Sequence, residues 1–197
     1  MDKLSYAWGL AMGNQLKAMG VNQLNSEDFK DGVKVAFDGG TPAMEPAEAQ
    51  KLIQDYLQEL EAKATAAARA AGDAFLAENK GKEGVKTTST GLQYVVEKEG
   101  TGAQPTAEDE VTVHYTGSLL DGTVFDSSVN RGEPATFPLN RVIPGWTEGV
   151  QLMKEGAKYK FFIPSDLAYG PNGIPNVIPP HSTLIFEVEL IKVNKKA

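Results

Sequence analysis

The sequence predicts an α+β protein: a twisted antiparallel sheet wrapped on one short helix in the C-terminal part, preceded by an all-α N-terminal region and a long linking helix. Three observations predict it. Apolar residues recur at helical spacing up to about residue 80. From about Lys86 they alternate with polar residues, as in strands with one wet face. Between the two regimes Gly81 and Gly84 break the chain. With 197 residues, 41% of them hydrophobic and 23% charged, the chain reads as globular, with room for one large domain or a medium one with an extension.

Residues 1–45 carry two predicted helices. Leu4, Trp8, Ala11, Met12, Leu16 and Met19 keep helical spacing and stop near Gly20. Asn25 or Ser26 suits the cap of a second helix bearing Phe29, Val33, Ala36 and Phe37, which ends at Gly39-Gly40. So short a region cannot enclose a core of its own, because below about 40 residues a chain needs outside support. Its apolar faces therefore need another surface.

Residues 46–82 read as one long helix. Pro46 suits a first helical position and Glu48 favours the positive end of the helix dipole. Leu52, Ile53, Tyr56, Leu57 and Leu60 form a stripe in its first half, whereas Ala62 to Ala71 are mostly alanine, good for helix but offering little to bury. At 1.5 Å per residue about 35 residues span roughly 50 Å. The expectation is that the alanine-rich half stands in solvent as a strut, the alternative being an ordinary helix lying on the C-terminal domain.

Beyond residue 83 the elements are short. Leu92 to Val96 reads as a strand. Val111, Val113 and Tyr115 alternate with Thr112, His114 and Thr116, as do Tyr159, Phe161 and Ile163 with lysines, and Leu184, Phe186, Val188 and Leu190 with glutamates. Trp146 to Met153, bounded by Pro144-Gly145 and Gly156, reads as the helix that covers the buried face.

Composition narrows the function. The 19 Lys and Arg against 26 Asp and Glu leave a net charge of −7, which argues against nucleic acid, since phosphate binding needs clustered cations. The Lys192–Lys196 tail reads as a solvated terminus. Without cysteine, thiolate catalysis and cysteine metal sites are excluded. His114 and His181 have no ligand spacing, so neither a metal nor any other cofactor is expected. No apolar run reaches the ~20 residues of a membrane helix, and no signal-like stretch follows Leu4. The cytoplasm is the expected compartment, with the periplasm as the alternative if a leader has been removed.

The remaining signal is a series of runs: Val113-His-Tyr-Thr-Gly117, Phe125-Asp-Ser-Ser128, Val142-Ile-Pro-Gly-Trp146, Ala168-Tyr-Gly170 and Ile178-Pro-Pro-His181, leading to Phe186. Each offers a large apolar or aromatic side chain beside turn residues, and none offers a strong nucleophile. Aromatics with polar tips beside Gly and Pro turns suit an open apolar site with a few polar handles. Asp126 lacks an evident second carboxylate, and Arg131 can pair with it across a loop. His114 faces away from Tyr115. Four prolines between Gly170 and Pro180 stiffen a loop that suits a pocket rim, with Tyr169 at its root and Ile178 at its far end.

In this order and spacing, from about Gly91 to Val193, the runs closely resemble the FKBP-type peptidyl-prolyl cis-trans isomerases, which bind tacrolimus and rapamycin. The N-terminal layout resembles the Mip-like bacterial subgroup, whose members form V-shaped homodimers. The resemblance implies a helical dimerisation region at 1–45, a linker helix at 46–82 and an isomerase domain at 83–197 with a five- or six-stranded sheet. It implies a pocket lined by Tyr115, Phe125, Asp126, Val142, Ile143, Trp146, Tyr169, Ile178 and Phe186. Trp146 would be the floor, the Tyr169 hydroxyl and the Ile143 N–H the handles, and Asp126 a polar wall partnered by Arg131. Two positions depart from the family. A wall position often aromatic is Ala135, with Phe137 two residues on reading as core, and a loop position often histidine is Ile174. The expected activity is rotation about X-Pro bonds in peptides and folding proteins, without covalent attack. The expected partners are proline-containing peptides, unfolded proteins and a second copy through residues 1–60, the two pockets being held apart by the long helices. The competing reading is a non-enzymatic chaperone or scaffold that holds clients in the same pocket.

Overall fold

The computed structural model describes residues 1–195; Lys196, at the end of the basic tail, lies outside them. The chain divides into two compact units, the first spanning Met1–Ala62 and the second starting at Lys63.

The first unit contains α1 (Lys3–Ala18), α2 (Ser26–Asp38) and the start of α3 (Pro46–Asn79). Local chemistry sets the ends. The Asp2 carboxylate accepts the Leu4 N–H at 3.1 Å, and the Asn25 side chain accepts those of Glu27 and Asp28 at 3.0 and 3.3 Å, filling donors that a helix start leaves empty. Gly39 ends α2 in the left-handed conformation. Neither α1 nor α2 buries a residue: Trp8 is 66% and Phe37 88% exposed, and Leu4, Leu52 and Ile53 are exposed as well. The helices form and half-bury Leu16, Phe29 and Val33, but large apolar residues of the same stripes stay exposed.

The second unit is a seven-stranded antiparallel sheet. Its strands are β1 (Lys86–Thr87), β2 (Gln93–Lys98), β3 (Glu110–Ser118), β4 (Val124–Ser127), β5 (Ala135–Pro138), β6 (Lys158–Ile163) and β7 (Leu184–Asn194). Their order is β1-β2-β6-β7-β3-β4, with β5 also paired to β3. This is more than the five or six strands expected, because β1, β4 and β5 have only two to four residues and so display no period. The one-turn α4 (Ser128–Arg131) follows β4, and α5 (Pro144–Val150) covers the sheet. Pro144 occupies the start of α5, and the chain leaves it after Val150 through tight turns, so the helix sits slightly earlier than expected. Val113, Phe161, Leu184, Val188 and Val150 are among the residues that form the core.

The strut expectation fails for the last turns of α3. In the second unit Gly72 and Asn79 are buried. The Phe75 ring lies 5.6 Å from that of Phe162, and Gln93 donates to Leu76 O at 2.8 Å while accepting from Asn79 at 3.0 Å. The part of α3 beyond Ala71 docks through Phe75, an amide pair and close backbone approach, while most of Ala62–Ala71 stays exposed. In the tail, Lys195 donates to Asp109 at 2.9 Å and to Gln104 O at 2.7 Å.

Candidate active site

An open cleft of about 300 Å³ lies over α5, lined by Tyr115, Phe125, Asp126, Phe137, Arg141, Val142, Ile143, Trp146, Tyr169 and Phe186. Strand alternation turns Tyr115 of β3 and Phe186 of β7 toward the core face. Trp146 enters from α5. The rings of Tyr115, Phe186 and Phe137 stand at 89°, 83° and 89° to the indole, with centroids 5.2, 5.3 and 5.9 Å away. Edge-to-face packing of this kind adds stabilisation beyond area burial and fixes each ring's direction. Phe125 closes the side at 5.5 Å from Phe186. The Gly117 residue that ends the His-Tyr-Thr-Gly run is needed here: a Cβ would lie 2.6 Å from the Phe186 ring and 2.7 Å from that of Phe125. The buried Trp146 Nε1–H has no hydrogen-bond partner among the described residues, and its surroundings are the aromatic rings just described.

The polar side of the cleft is one connected group. The Tyr115 hydroxyl donates to Asp126, Arg131 pairs with the same carboxylate, and Arg131 Nη2 donates to the Tyr115 oxygen at 3.0 Å. Burial pushes the Asp126 carboxyl up, but the hydrogen bonds of Tyr115 and Arg131 and the arginine charge outweigh it, leaving Asp126 below its ordinary value. Burial, then the bond to Asp126, raises Tyr115. Burial, followed by the Asp126 charge, raises Tyr169. Near neutral pH the site therefore holds an ionised carboxylate matched by a guanidinium, and two protonated phenols. The Ile143 N–H donates to no acceptor among the described residues.

The structure gathers eight of the ten residues singled out in the sequence around this cleft: Tyr115, Phe125, Asp126, Val142, Ile143, Trp146, Tyr169 and Phe186. Arg131 stands behind Asp126 and does not line the cleft. Ile178 does not line it either: it is 2% exposed and paired with Ile174 inside the loop, because the loop folds back on itself and buries its far end. Phe137 and Arg141 line the cleft without having been singled out. Phe137 had read as core. It packs against the core, with its ring against Tyr115 and Trp146, and the same ring borders the cleft. Arg141 has no comparable signal, since its place follows from the turn before α5.

Comparisons with known proteins bear on this arrangement. Residues 101–191 match the family profile described as FKBP-type peptidyl-prolyl cis-trans isomerase, and residues 1–96 match that of the domain amino terminal to it. The chain is 47% identical over 98% of its length to a probable FKBP-type peptidyl-prolyl cis-trans isomerase FkpA of Neisseria meningitidis serogroup B, covering 74% of that protein. It is 42% identical over its whole length to the outer membrane protein MIP of Legionella longbeachae, covering 87% of that protein. The crystal structure of FkpA from Escherichia coli matches 97% of this chain and 93% of its own at a TM-score of 0.81 and 40% identity. The chain is accordingly a member of the FKBP-type peptidyl-prolyl cis-trans isomerases, enzymes that speed rotation about X-Pro bonds.

Proposed function

We propose that the aromatic cleft over Trp146 is where the prolyl bond turns, and that Trp146, Tyr115, Phe125 and Phe186 hold the proline ring while Tyr169, Asp126 and the Ile143 N–H orient the peptide. The convergence of perpendicular rings on a buried indole, beside a single neutralised carboxylate, carries this reading. Rotating a prolyl amide breaks C–N resonance, and unaided it takes tens of seconds or longer. The twisted amide is less dipolar than the planar one and loses less hydration on entering an apolar cleft. The cleft thus favours the transition state over the ground state, as catalysis requires. An acceleration of about 10⁵ corresponds to about 7 kcal/mol of that preference. Hydrogen bonds from the handles supply part of it by fixing the carbonyl on one side of the turning bond. No proton transfer or covalent intermediate enters this path. In a model proline tetrapeptide assay Trp146→Ala, Tyr169→Phe and Asp126→Ala should each lower kcat/KM; three variants at parental activity would refute the site.

The same cleft is the proposed site for tacrolimus- or rapamycin-type ligands, with the Ile143 N–H left to donate to a ligand carbonyl. For the domain plan the proposal is a dimerisation region at 1–45, a linker helix at 46–82 and an isomerase domain at 83–197. The exposed large apolar residues of the first unit, with Trp8 66% and Phe37 88% exposed, support a homodimer through residues 1–60, since grouped exposed apolar side chains mark interaction surfaces. Two linked sites favour a large unfolded client, because the second contact becomes intramolecular, and chaperone action follows from that. A full-length chain that sediments as a monomer would refute the dimer. For the compartment, the name outer membrane protein of the Legionella relative supports the cell envelope over the cytoplasm, and fractionation of the native host separates the two.

A further inference from the structure

The last turns of α3 hold one root of the proline loop. Gly72 is buried, and a Cβ built on it would lie 2.4 Å from Thr183 Oγ1 and 3.2 Å from Thr183 Cβ. Thr183 is 4% exposed and joins the loop to the first residue of β7. The loop is closed on itself. Ile174 and Ile178 exchange both backbone hydrogen bonds at 2.8 Å, and the His181 N–H donates to Gly170 O at 2.9 Å. Pro171, Pro175, Pro179 and Pro180 fix φ along it. A segment so closed moves as one piece about its two roots, Tyr169 and Thr183, and the Gly170–His181 bond couples those roots across its base.

We propose that Gly72 and Thr183 are positioning residues for prolyl isomerisation: the bare backbone of α3 seats Thr183, and that seat sets the Tyr169 phenol through the His181–Gly170 hydrogen bond. The inference rests on Tyr169 acting as a rim handle, as proposed above. A side chain at position 72 meets a short β-branched residue whose χ1 is stiff, so the strain passes into the loop and is not absorbed by a flexible side-chain end. Alanine is the better helix former. Gly72→Ala therefore favours α3 locally while displacing the seat, which separates loss of positioning from loss of helix.

The test measures kcat/KM on a proline tetrapeptide, with far-UV circular dichroism to verify folding, for full-length Gly72→Ala, Tyr169→Phe, their combination, and Gly72→Ala with Thr183→Ala. Gly72→Ala should lower kcat/KM by about three- to tenfold, the range of a sub-ångström displacement at a positioned group. It should add nothing in the Tyr169→Phe background, and Thr183→Ala should restore most of the loss by removing Oγ1. Gly72→Ala within about twofold of the parent, or an equal factor in both backgrounds, overturns the inference. If Tyr169→Phe alone is silent, the rim reading falls and takes this one with it. A Tyr169→Phe loss beside a silent Gly72→Ala overturns this one alone. Should Gly72→Ala not fold, Thr183→Ile drives the same overlap from the loop side and is read by the same criteria.

Discussion

Replacing Gln93 with leucine tests whether the end of α3 is part of the second unit's structure. Gln93 and Asn79 are both 3% exposed. Gln93 accepts from Asn79 Nδ2 at 3.0 Å and donates to Leu76 O at 2.8 Å. Leu76 O also receives the Lys80 N–H at 3.2 Å, so Gln93→Leu does not orphan that carbonyl. It does orphan the Asn79 amide. Losing a neutral hydrogen bond removes about 1 kcal/mol, and leaving a buried polar group unpaired costs about 1–3 kcal/mol. The single variant should therefore be destabilised by about 2–4 kcal/mol, or roughly 5–12 °C in Tm for a unit of this size. Asn79→Leu with Gln93→Leu removes both amides and should recover at least half of that, because no unpaired group is left. Urea unfolding followed by far-UV circular dichroism reads both variants. A single variant within about 0.5 kcal/mol of the parent, or a double variant no better than the single, would refute the docking argument.

Three further outcomes follow from the same contacts. A chain starting at Lys63 should keep tetrapeptide activity within about twofold, whereas one starting at 83 uncovers Phe162, Gln93 and Thr183 and should unfold at clearly lower urea, both read by activity and denaturation. Gly117→Ala drives a Cβ between Phe125 and Phe186; it should cost about 1–3 kcal/mol of stability and lower kcat/KM, measured by the same assays. Asp126 titrates below its ordinary value and Tyr115 and Tyr169 above theirs. The Asp126 contribution is thus complete above its unfolded value of about 3.9 and is lost as pH falls through the lower folded value. Between about pH 5 and 9 these three groups should impart no titration to kcat/KM, and a bell-shaped profile assigned to them by substitution would contradict it.

What was legible in the sequence divides by the kind of signal each contact leaves. Strand alternation around Tyr115 and Phe186 reads directly, because a two-residue period assigns faces without knowledge of the partner strand. The caps Asn25 and Gly39 read equally well, since capping is local. The docking of α3 did not, because its key feature at Gly72 is an absent side chain, indistinguishable in sequence from a weak helix position. Phe137 reads as core and packs there; that it also borders the cleft depends on the opening over α5, which no strand period records. Ile178 is expected at the rim from its place in the proline loop and from the family resemblance, whereas the turn at Ile174 sends it inward. Arg141 depends on how the chain turns before α5, which no period records.

The Tyr115–Asp126–Arg131 group explains how a carboxylate can border an apolar site without defeating it. An unpaired carboxylate at the rim would retain water and create a strong field across the cleft. A planar amide is more dipolar than a twisted one, so a favourably oriented field of that kind would hold the ground state and raise the barrier. Pairing with Arg131, together with the Tyr115 hydrogen bond, closes the field on itself over a short distance and leaves directed hydrogen-bonding capacity at the wall. Arg131 thus matters without touching the cleft: removing it should leave Asp126 charged and more hydrated. Arg131→Ala is expected to lower kcat/KM, with Asp126→Asn restoring part of the loss by removing the unmatched charge. If Arg131→Ala and the double variant are equally impaired in the tetrapeptide assay, charge matching is not the role of this pair.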